Sequence, residues 1–328
     1  MFRLLGQRRH PAAAAVRGSA LRFAAACALL VIAAGVHAEV VQDDAGERLD
    51  VPRPNCRIVS LAPGTTAMLY AAGAGHCLVG TIAHSTEPAA AKSLTVVGDA
   101  ETLDLERLLA LRPTSVVVAV DVVQRVRIDR IRALGIPVYQ VHVTRLADMP
   151  RSLRGLGAFT GTAAAAASRA DELARELEVL ERRYAGRPPL TVLYQIWDKP
   201  IYTVGGRHVI TDALRLCGAV NIFAELGTAA PAVTREAVLA RAPALIIASA
   251  PPDAAQAWID EWRRFPALAA VRDSRLVAYS DERIDRMGPS VIAATADLCA
   301  LVETARHGAD ASPGSDPRVS SATDEPNL

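Results

Sequence analysis

Short apolar runs alternate with helical repeats along most of the chain. Cys56-Arg-Ile-Val-Ser-Leu61 reads as a buried strand, and Pro63-Gly64-Thr65-Thr66 turns into an apolar helix that ends near Gly73 and Gly75. Cys77 to Ile82 is the next strand. Asp104 to Arg112 is a short helix stopped by Pro113. Val116 to Val120 is a strand, Val122 to Leu134 a helix, and Ile136 to Val141 a further strand. Alternation of this kind predicts a parallel sheet with helices on its faces.

The rhythm breaks between Asp148 and Tyr184. Thr162 to Arg183 is rich in Ala, Glu, Leu and Arg, and Leu173, Leu177, Leu180 and Tyr184 recur at helical spacing. A helix of that length spans about 33 Å. After Gly186-Arg-Pro-Pro189 the strand–helix pattern restarts with Leu190 to Ile196, Tyr202 to Val204, the helix Ile210 to Leu216, then Ala244 to Ser249 and Arg275 to Tyr279. The pattern predicts two Rossmann-like α/β lobes with parallel sheets, joined by one long helix, with a ligand cleft between them. A single large α/β domain carrying a long surface helix is the simpler alternative.

The lobes echo each other. Asp104-Leu-Glu106 opens a helix that ends at Pro113 and feeds a strand, and Thr234-Arg-Glu236 opens one that ends at Pro243 and feeds another. Asp104 and Thr234 are good N-caps, so Glu106 and Glu236 fall in helix first turns, where the dipole favours a carboxylate. Their matched placement also suits contact points on the tips of two lobes.

Charge and cysteine content refine this picture. The 328 residues carry 36 Lys+Arg against 35 Asp+Glu, which excludes a strongly basic nucleic-acid binder. Five of those arginines and no acid lie in residues 1–38, where an apolar run from Phe23 to Ala34 ends in Val36-His37-Ala38. A basic start, a short apolar stretch and a small-x-small site read as a cleavable signal peptide, too short to span a bilayer. Its removal leaves 31 basic groups against 35 acidic ones, a net charge of about −4. Cys56, Cys77, Cys217 and Cys299 remain, an even number in an exported chain, which suggests two disulfides among three possible connectivities. No Cys/His cluster suggests zinc.

Catalytic motifs are missing from the sequence. No GxSxG, HExxH or Walker loop occurs, and Gly205-Gly206 lacks the spacing of a dinucleotide fingerprint. His76, His84, His142, His208 and His307 are scattered, with no i, i+4 pair for a metal. Two lobes of this kind suit capture of a small molecule in the cleft between them. An exported enzyme using the same cleft is the reading from another class, and no nucleophile–base pair supports it.

Several segments carry a resemblance. Arg57-Ile-Val-Ser-Leu-Ala-Pro63, Leu103 to Pro113, Leu193-Tyr-Gln-Ile-Trp-Asp-Lys-Pro200, Leu216-Cys-Gly-Ala-Val-Asn-Ile-Phe223 and Thr234 to Pro243 resemble the periplasmic substrate-binding proteins of ABC importers that take cobalamin, haem or iron–siderophores. The third and fourth segments resemble the cobalamin branch more narrowly. The resemblance runs from about Arg57 to Leu301. It implies a periplasmic monomer, neither an enzyme nor embedded in the membrane, which uses no cofactor or metal. Such a protein captures cobalamin (vitamin B12) or a related corrinoid and delivers it to an ABC permease dimer with its ATPase. Haem or a ferric siderophore is the alternative ligand.

The resemblance also implies residue roles. Glu106 and Glu236 fall where such proteins present one glutamate per lobe to permease arginines. Cys217 and Cys299 fall at a family disulfide, and Cys56 and Cys77, each at the start of a neighbouring strand, pair by topology. Trp197 lies in a segment facing the ligand, and Asp281, Arg283 and Arg286 in the last cleft loop of the second lobe. The first cleft loop usually reads Ser-Asp-Tyr-Pro and here reads His84-Ser-Thr-Glu87-Pro88, which puts His84 and Glu87 at the ligand; two further aromatic positions are Ala100 and Ala230. The expected organisation is a signal peptide at 1–38, an N-terminal lobe at 39–146, a helical connector at 147–186, a C-terminal lobe at 187–304 and a disordered tail at 305–328.

Overall fold

The computed structural model describes residues 39–120 and 125–307. The signal peptide expected at 1–38 and the tail from 308 onward lie outside the described residues. The described chain opens on a hairpin, β1 (Glu39–Gln42) against β2 (Arg48–Val51). Its turn is built by Asp43, whose carboxylate accepts the N–H groups of Ala45 and Glu47.

The first lobe is a five-stranded parallel sheet. Its strands are β3 (Ile58–Ser60), β4 (Leu78–Thr81), β5 (Thr95–Val96), β6 (Ser115–Ala119) and β7 (Val138–Val141), in the order β5-β4-β3-β6-β7. The crossovers carry α1 (Pro63–Ala71), α2 (Leu105–Ala110) and α3 (Arg125–Ala133). β3 and β7 are buried at every residue, as a strand covered by helices on both faces should be. β5 is only two residues long and exposed, too short for its pattern to be read from the sequence.

Two helices follow. α4 (Asp148–Thr160) ends on Gly161, whose left-handed φ of 80° turns the chain into α5 (Ala163–Tyr184). The second lobe has a six-stranded sheet from β8 (Leu190–Asp198), β9 (Ile201–Thr203), β10 (Ala219–Asn221), β11 (Ala232–Val233), β12 (Leu245–Ser249) and β13 (Leu276–Tyr279). β10 and β12 pair with β8 in parallel and β13 with β12, while β9 pairs antiparallel with β8 and β11 with β9, so this sheet is mixed rather than wholly parallel. Its helices are α6 (Val209–Leu216), α7 (Arg235–Arg241), α8 (Pro252–Arg263), α9 (Ala269–Arg272), α10 (Glu282–Asp285) and α11 (Val291–His307). α11 runs on through Ala305, Arg306 and His307, which the sequence assigned to the tail. Arg306 holds this last turn by donating to the carbonyls of Pro188, Cys217 and Gly218.

α5 is the spine. Ala166, Ala170, Leu173, Leu177, Leu180 and Tyr184 form one buried stripe, in a single core that includes Leu69 and Tyr139 of the first lobe and Leu214 and Leu298 of the second. Two disulfides cross-link the chain: Cys56–Cys77 in the first lobe and Cys217–Cys299 in the second, the latter tying the end of α6 to the middle of α11. The lobes also meet directly. A Cβ on Gly64, at the start of α1, would lie 2.3 Å from the carbonyl oxygen of Arg286 in the second lobe, so the first turn of α1 and the loop after α10 touch backbone to backbone.

Candidate functional site

The carboxyl ends of the parallel strands in both lobes point at this junction, the place where open α/β sheets form their crevices. A cavity of about 600 Å³ lies there in the second lobe, within the range of small-molecule sites. Its walls come from the ends of β8 and β12, the starts of α6 and α8, and α10. Ile196, Val204, Ile210, Ala250, Pro251 and Ala254 make it largely apolar.

An irregularity in β8 supplies its aromatic edge. Neighbouring residues of a regular strand point to opposite faces, yet Ile196 and Trp197 both line the cavity. The register between β8 and β9 shifts between Gln195 and Trp197, and the inserted residue re-aims the chain. Trp197 is 56% exposed and meets the ring of Trp258 edge-on at 6.3 Å between centroids. Trp258 is buried on α8, and it also lines the cavity. Trp262 is interior, its indole N–H donating to Gln195 Oε1 at 2.7 Å.

Three titratable groups, Asp198, His208 and Asp285, border the same cavity. His208 is the N-cap of α6: its Nδ1 accepts the N–H of Ile210 at 3.2 Å. Burial pushes its imidazole down to about 4. Asp285 is pushed up to about 6, first by burial and then by the neighbouring Asp281 and Glu282, with Ser249 and Arg286 opposing. Ser249 Oγ donates to Asp285 at 3.4 Å and receives the Tyr194 hydroxyl at 3.0 Å.

The expected ligand residues divide. Trp197 lines the large cavity. Arg286 lines a second, water-sized void with Gly64, Thr65, Val120 and Val141, on the other side of the loop that carries Asp285. Glu87 reaches across the lobes to Arg286 and Ser290. Asp281 caps α10 and is engaged by Arg283, whose guanidinium also binds Asp297, so these two side chains brace the loop. His84 is exposed with a left-handed φ of 65° and lines neither void.

Glu106 and Glu236 sit as their sequences suggest. Asp104 accepts the N–H of Arg107 at 2.9 Å and Thr234 that of Ala237 at 3.2 Å, leaving each glutamate exposed in a first turn. Neither carboxylate has an ion-pair partner among the described residues. His76 lies beside Cys56 and Cys77, but the two sulfurs are joined to each other, which removes them as metal ligands.

Two α/β lobes on one helical spine, with an apolar cavity at the strand ends of the second lobe, define a two-lobed substrate-binding protein. The chain belongs to the periplasmic binding protein family, whose sequence model matches residues 58–283. Members of this family bind substrates and are not enzymes. The vitamin B12-binding protein of Yersinia pestis is 30% identical over 245 residues, covering 74% of this chain and 85% of that protein. The crystal structure of the periplasmic vitamin B12 binding protein BtuF of Vibrio cholerae superposes with a TM-score of 0.71 at 29% identity, over 77% of this chain and 98% of that one. The periplasmic heme-binding protein RhuT from Roseiflexus sp. RS-1 shares the fold, with a TM-score of 0.65 at 23% identity over 76% and 98%. No helix among the described residues is long and apolar enough to cross a membrane.

Proposed function

We propose that this protein captures cobalamin or a related corrinoid in the periplasm and delivers it to an ABC import permease. The observation that carries this reading is the Trp197–Trp258 edge on an apolar cavity of the second lobe, in a chain whose relatives at 29 and 30% identity are vitamin B12-binding proteins. An aromatic face suits a large, flat, amphipathic macrocycle. In this reading Trp197 contacts the ligand and Glu87 and Arg286 border it at the lobe boundary. Asp281 and Arg283 hold the loop, His84 stands at the rim, and Glu106 and Glu236 dock on permease arginines.

The test is direct. Purified protein is titrated with cyanocobalamin and, separately, with haemin, each followed by its own absorption spectrum. Retention of cobalamin through gel filtration, weakened at least about fivefold by Trp197→Ala, supports the assignment. A haem Soret band without cobalamin retention overturns it in favour of haem.

A further inference from the structure

We propose that Cys56, His76 and Cys77 form a redox-masked zinc site: the disulfide closes it, and reduction opens two thiolates and an imidazole to Zn2+. The inference is independent of the ligand reading above. The three residues stand at the amino ends of β3 and β4, whereas the ligand cavity lies at strand carboxyl ends in the second lobe.

The argument begins with proximity. Cys56 and Cys77 are 21 positions apart, so no local motif announces the group. The parallel pairing of β3 with β4 brings them together, with Cα atoms 4.3 Å apart. A ring nitrogen of His76 and both sulfurs lie within 4.8 Å of one another. The His76 side chain is exposed, and no hydrogen bond engages its ring among the described residues. While the sulfurs are joined to each other they ligate nothing.

Parted, they make a soft ligand set. Two thiolates and one imidazole suit Zn2+, with a water as the fourth ligand of a tetrahedron. Zn–S bonds of about 2.3 Å place the sulfurs about 3.8 Å apart, which cysteines this close reach by side-chain rotation.

The backbone on both sides is held without the disulfide. Asn55 donates to the Phe159 carbonyl at 3.2 Å, and its Oδ1 accepts the hydroxyls of Thr114 and Ser115, each at 2.8 Å. The Arg57 N–H donates to Thr114 Oγ1 at 3.2 Å, and the Thr114 N–H to the Arg57 carbonyl at 2.8 Å. On the other side the Cys77 N–H donates to the Ala74 carbonyl at 3.0 Å. A Cβ on Gly75 would lie 2.2 Å from the Tyr70 ring, so the turn that carries His76 packs directly on that ring. None of these contacts uses a sulfur, so the ligands stay gathered when the S–S bond breaks.

Access separates this pair from the other. Cys56 is partly exposed, whereas Cys217 and Cys299 are fully buried. Thiol–disulfide exchange needs an approachable sulfur. A dithiol attacks Cys56 as its thiolate and displaces Cys77. Its second thiol then displaces Cys56, and the reagent leaves as a cyclic disulfide. Two electrons and two protons pass from the dithiol to the cystine. Zn2+ takes both sulfurs as thiolates together with the imidazole lone pair, and the thiol protons go to water. The metal then closes the same loop as the covalent link, so β3 and β4 stay tied in either state.

The experiment treats the full protein with dithiothreitol until two thiols per chain are titrated, and removes the reagent under argon. Peptide mapping is expected to find Cys217–Cys299 intact. Zinc uptake is measured by competition with a chromophoric chelator, and Co2+ uptake by its thiolate-to-metal absorption band. The reduced protein is expected to take up one Zn2+ per chain and to regain most of the melting temperature lost on reduction, while the oxidised protein shows neither effect. His76→Ala is expected to weaken zinc in the reduced state at least about tenfold, with the oxidised melting temperature unchanged. No zinc uptake or no cobalt–thiolate band in the reduced protein, equal uptake by both redox states, or wild-type zinc affinity in His76→Ala overturns the site. Opening of Cys217–Cys299 before Cys56–Cys77 removes the access argument and overturns it as well.

Discussion

Glu87 of the first lobe and Arg286 of the second stand 3.7 Å apart across the lobe boundary, and the Ser290 hydroxyl donates to the same carboxylate at 3.0 Å. Arg286 also pairs with Glu282 on its own helix, so it links the first cleft loop to α10. The loop that carries it separates the large cavity from the small inter-lobe void, with Asp285 on one side and Arg286 on the other. Any opening of the lobes must break this contact or carry α10 with the first lobe.

Both partners are partly exposed, at 35 and 22% of their side chains, so the pair contributes about 1 kcal/mol or less. Glu87→Gln should change the unfolding free energy by no more than that and lose most of its effect in high salt. Faster amide exchange at 281–290 in the variant, with exchange in the α5 spine unaltered, would locate the change at the lobe boundary. Equal acceleration in both would show that the pair supports the whole fold.

Gly64 gives a sharper probe of the same boundary. Its added Cβ would meet backbone oxygens of Arg286 and Met287 at 2.3 and 2.9 Å, which cannot move aside as a side-chain tip does. Gly64→Ala should cost about 1–3 kcal/mol in chemical denaturation. If the lobes yield instead, the scattering radius of gyration rises and stability is retained. A variant that keeps both wild-type stability and wild-type scattering would refute the close approach.

The strand–helix rhythm was legible because period-2 and period-3.6 patterns are local, and the caps at Asp104 and Thr234 were legible for the same reason. The N-terminal hairpin was not, since its strands are four residues each and its turn is polar. The cavity was less legible still. Helical spacing marks Trp258 as buried but does not say that a void lies on its other side. His208 looked isolated because the hydrogen bond its ring accepts from the N–H of Ile210 depends on where α6 begins. The Ser249–Asp285 contact joins residues 36 apart, which no local pattern can report. The first-loop departure at Glu87 was visible in the sequence, while its partners Arg286 and Ser290 emerged only from the packing of the lobes.

Two of the cavity groups, His208 and Asp285, should leave opposite marks on stability against pH. His208 lies at about 4 when folded, below the 6.5 of a free histidine, so the folded state binds fewer protons in that window and stability falls as pH drops from about 6.5 toward 4. Asp285 lies at about 6, above the ordinary 3.8, so the folded state binds more protons between those values and stability rises as pH drops through 6. His208→Ser should flatten the acid-side loss. Asp285→Asn should raise stability at pH 7 and remove the gain on acidification. Variants whose melting curves shift in parallel at every pH would contradict both assignments.

The disulfides should differ in worth. The chain-entropy relation gives about 3 kcal/mol for closing the 21-residue separation of Cys56–Cys77 and about 4.5 kcal/mol for the 82-residue separation of Cys217–Cys299. Replacing both cysteines of each pair by serine and comparing urea midpoints should reproduce that order. The reverse order would mean that the unfolded-chain argument does not govern here.

Docking is tested by the two glutamates that the lobes present in matched first turns. Helix-dipole stabilisation accounts for at most about 1 kcal/mol each, and neither carboxylate is engaged within the described residues. A carboxylate left free at the same place on both lobes suits bidentate pairing with arginines on a two-fold partner, which fixes orientation as well as attraction. Loss of both anchors should cost about 2 kcal/mol or more of docking energy, because the facing arginines are left unpaired. Glu106→Ala combined with Glu236→Ala should therefore leave ligand affinity and melting temperature nearly intact while uptake through the cognate importer falls at least about tenfold. Normal uptake in the double variant, or ligand affinity that collapses with it, would remove these residues from the docking surface.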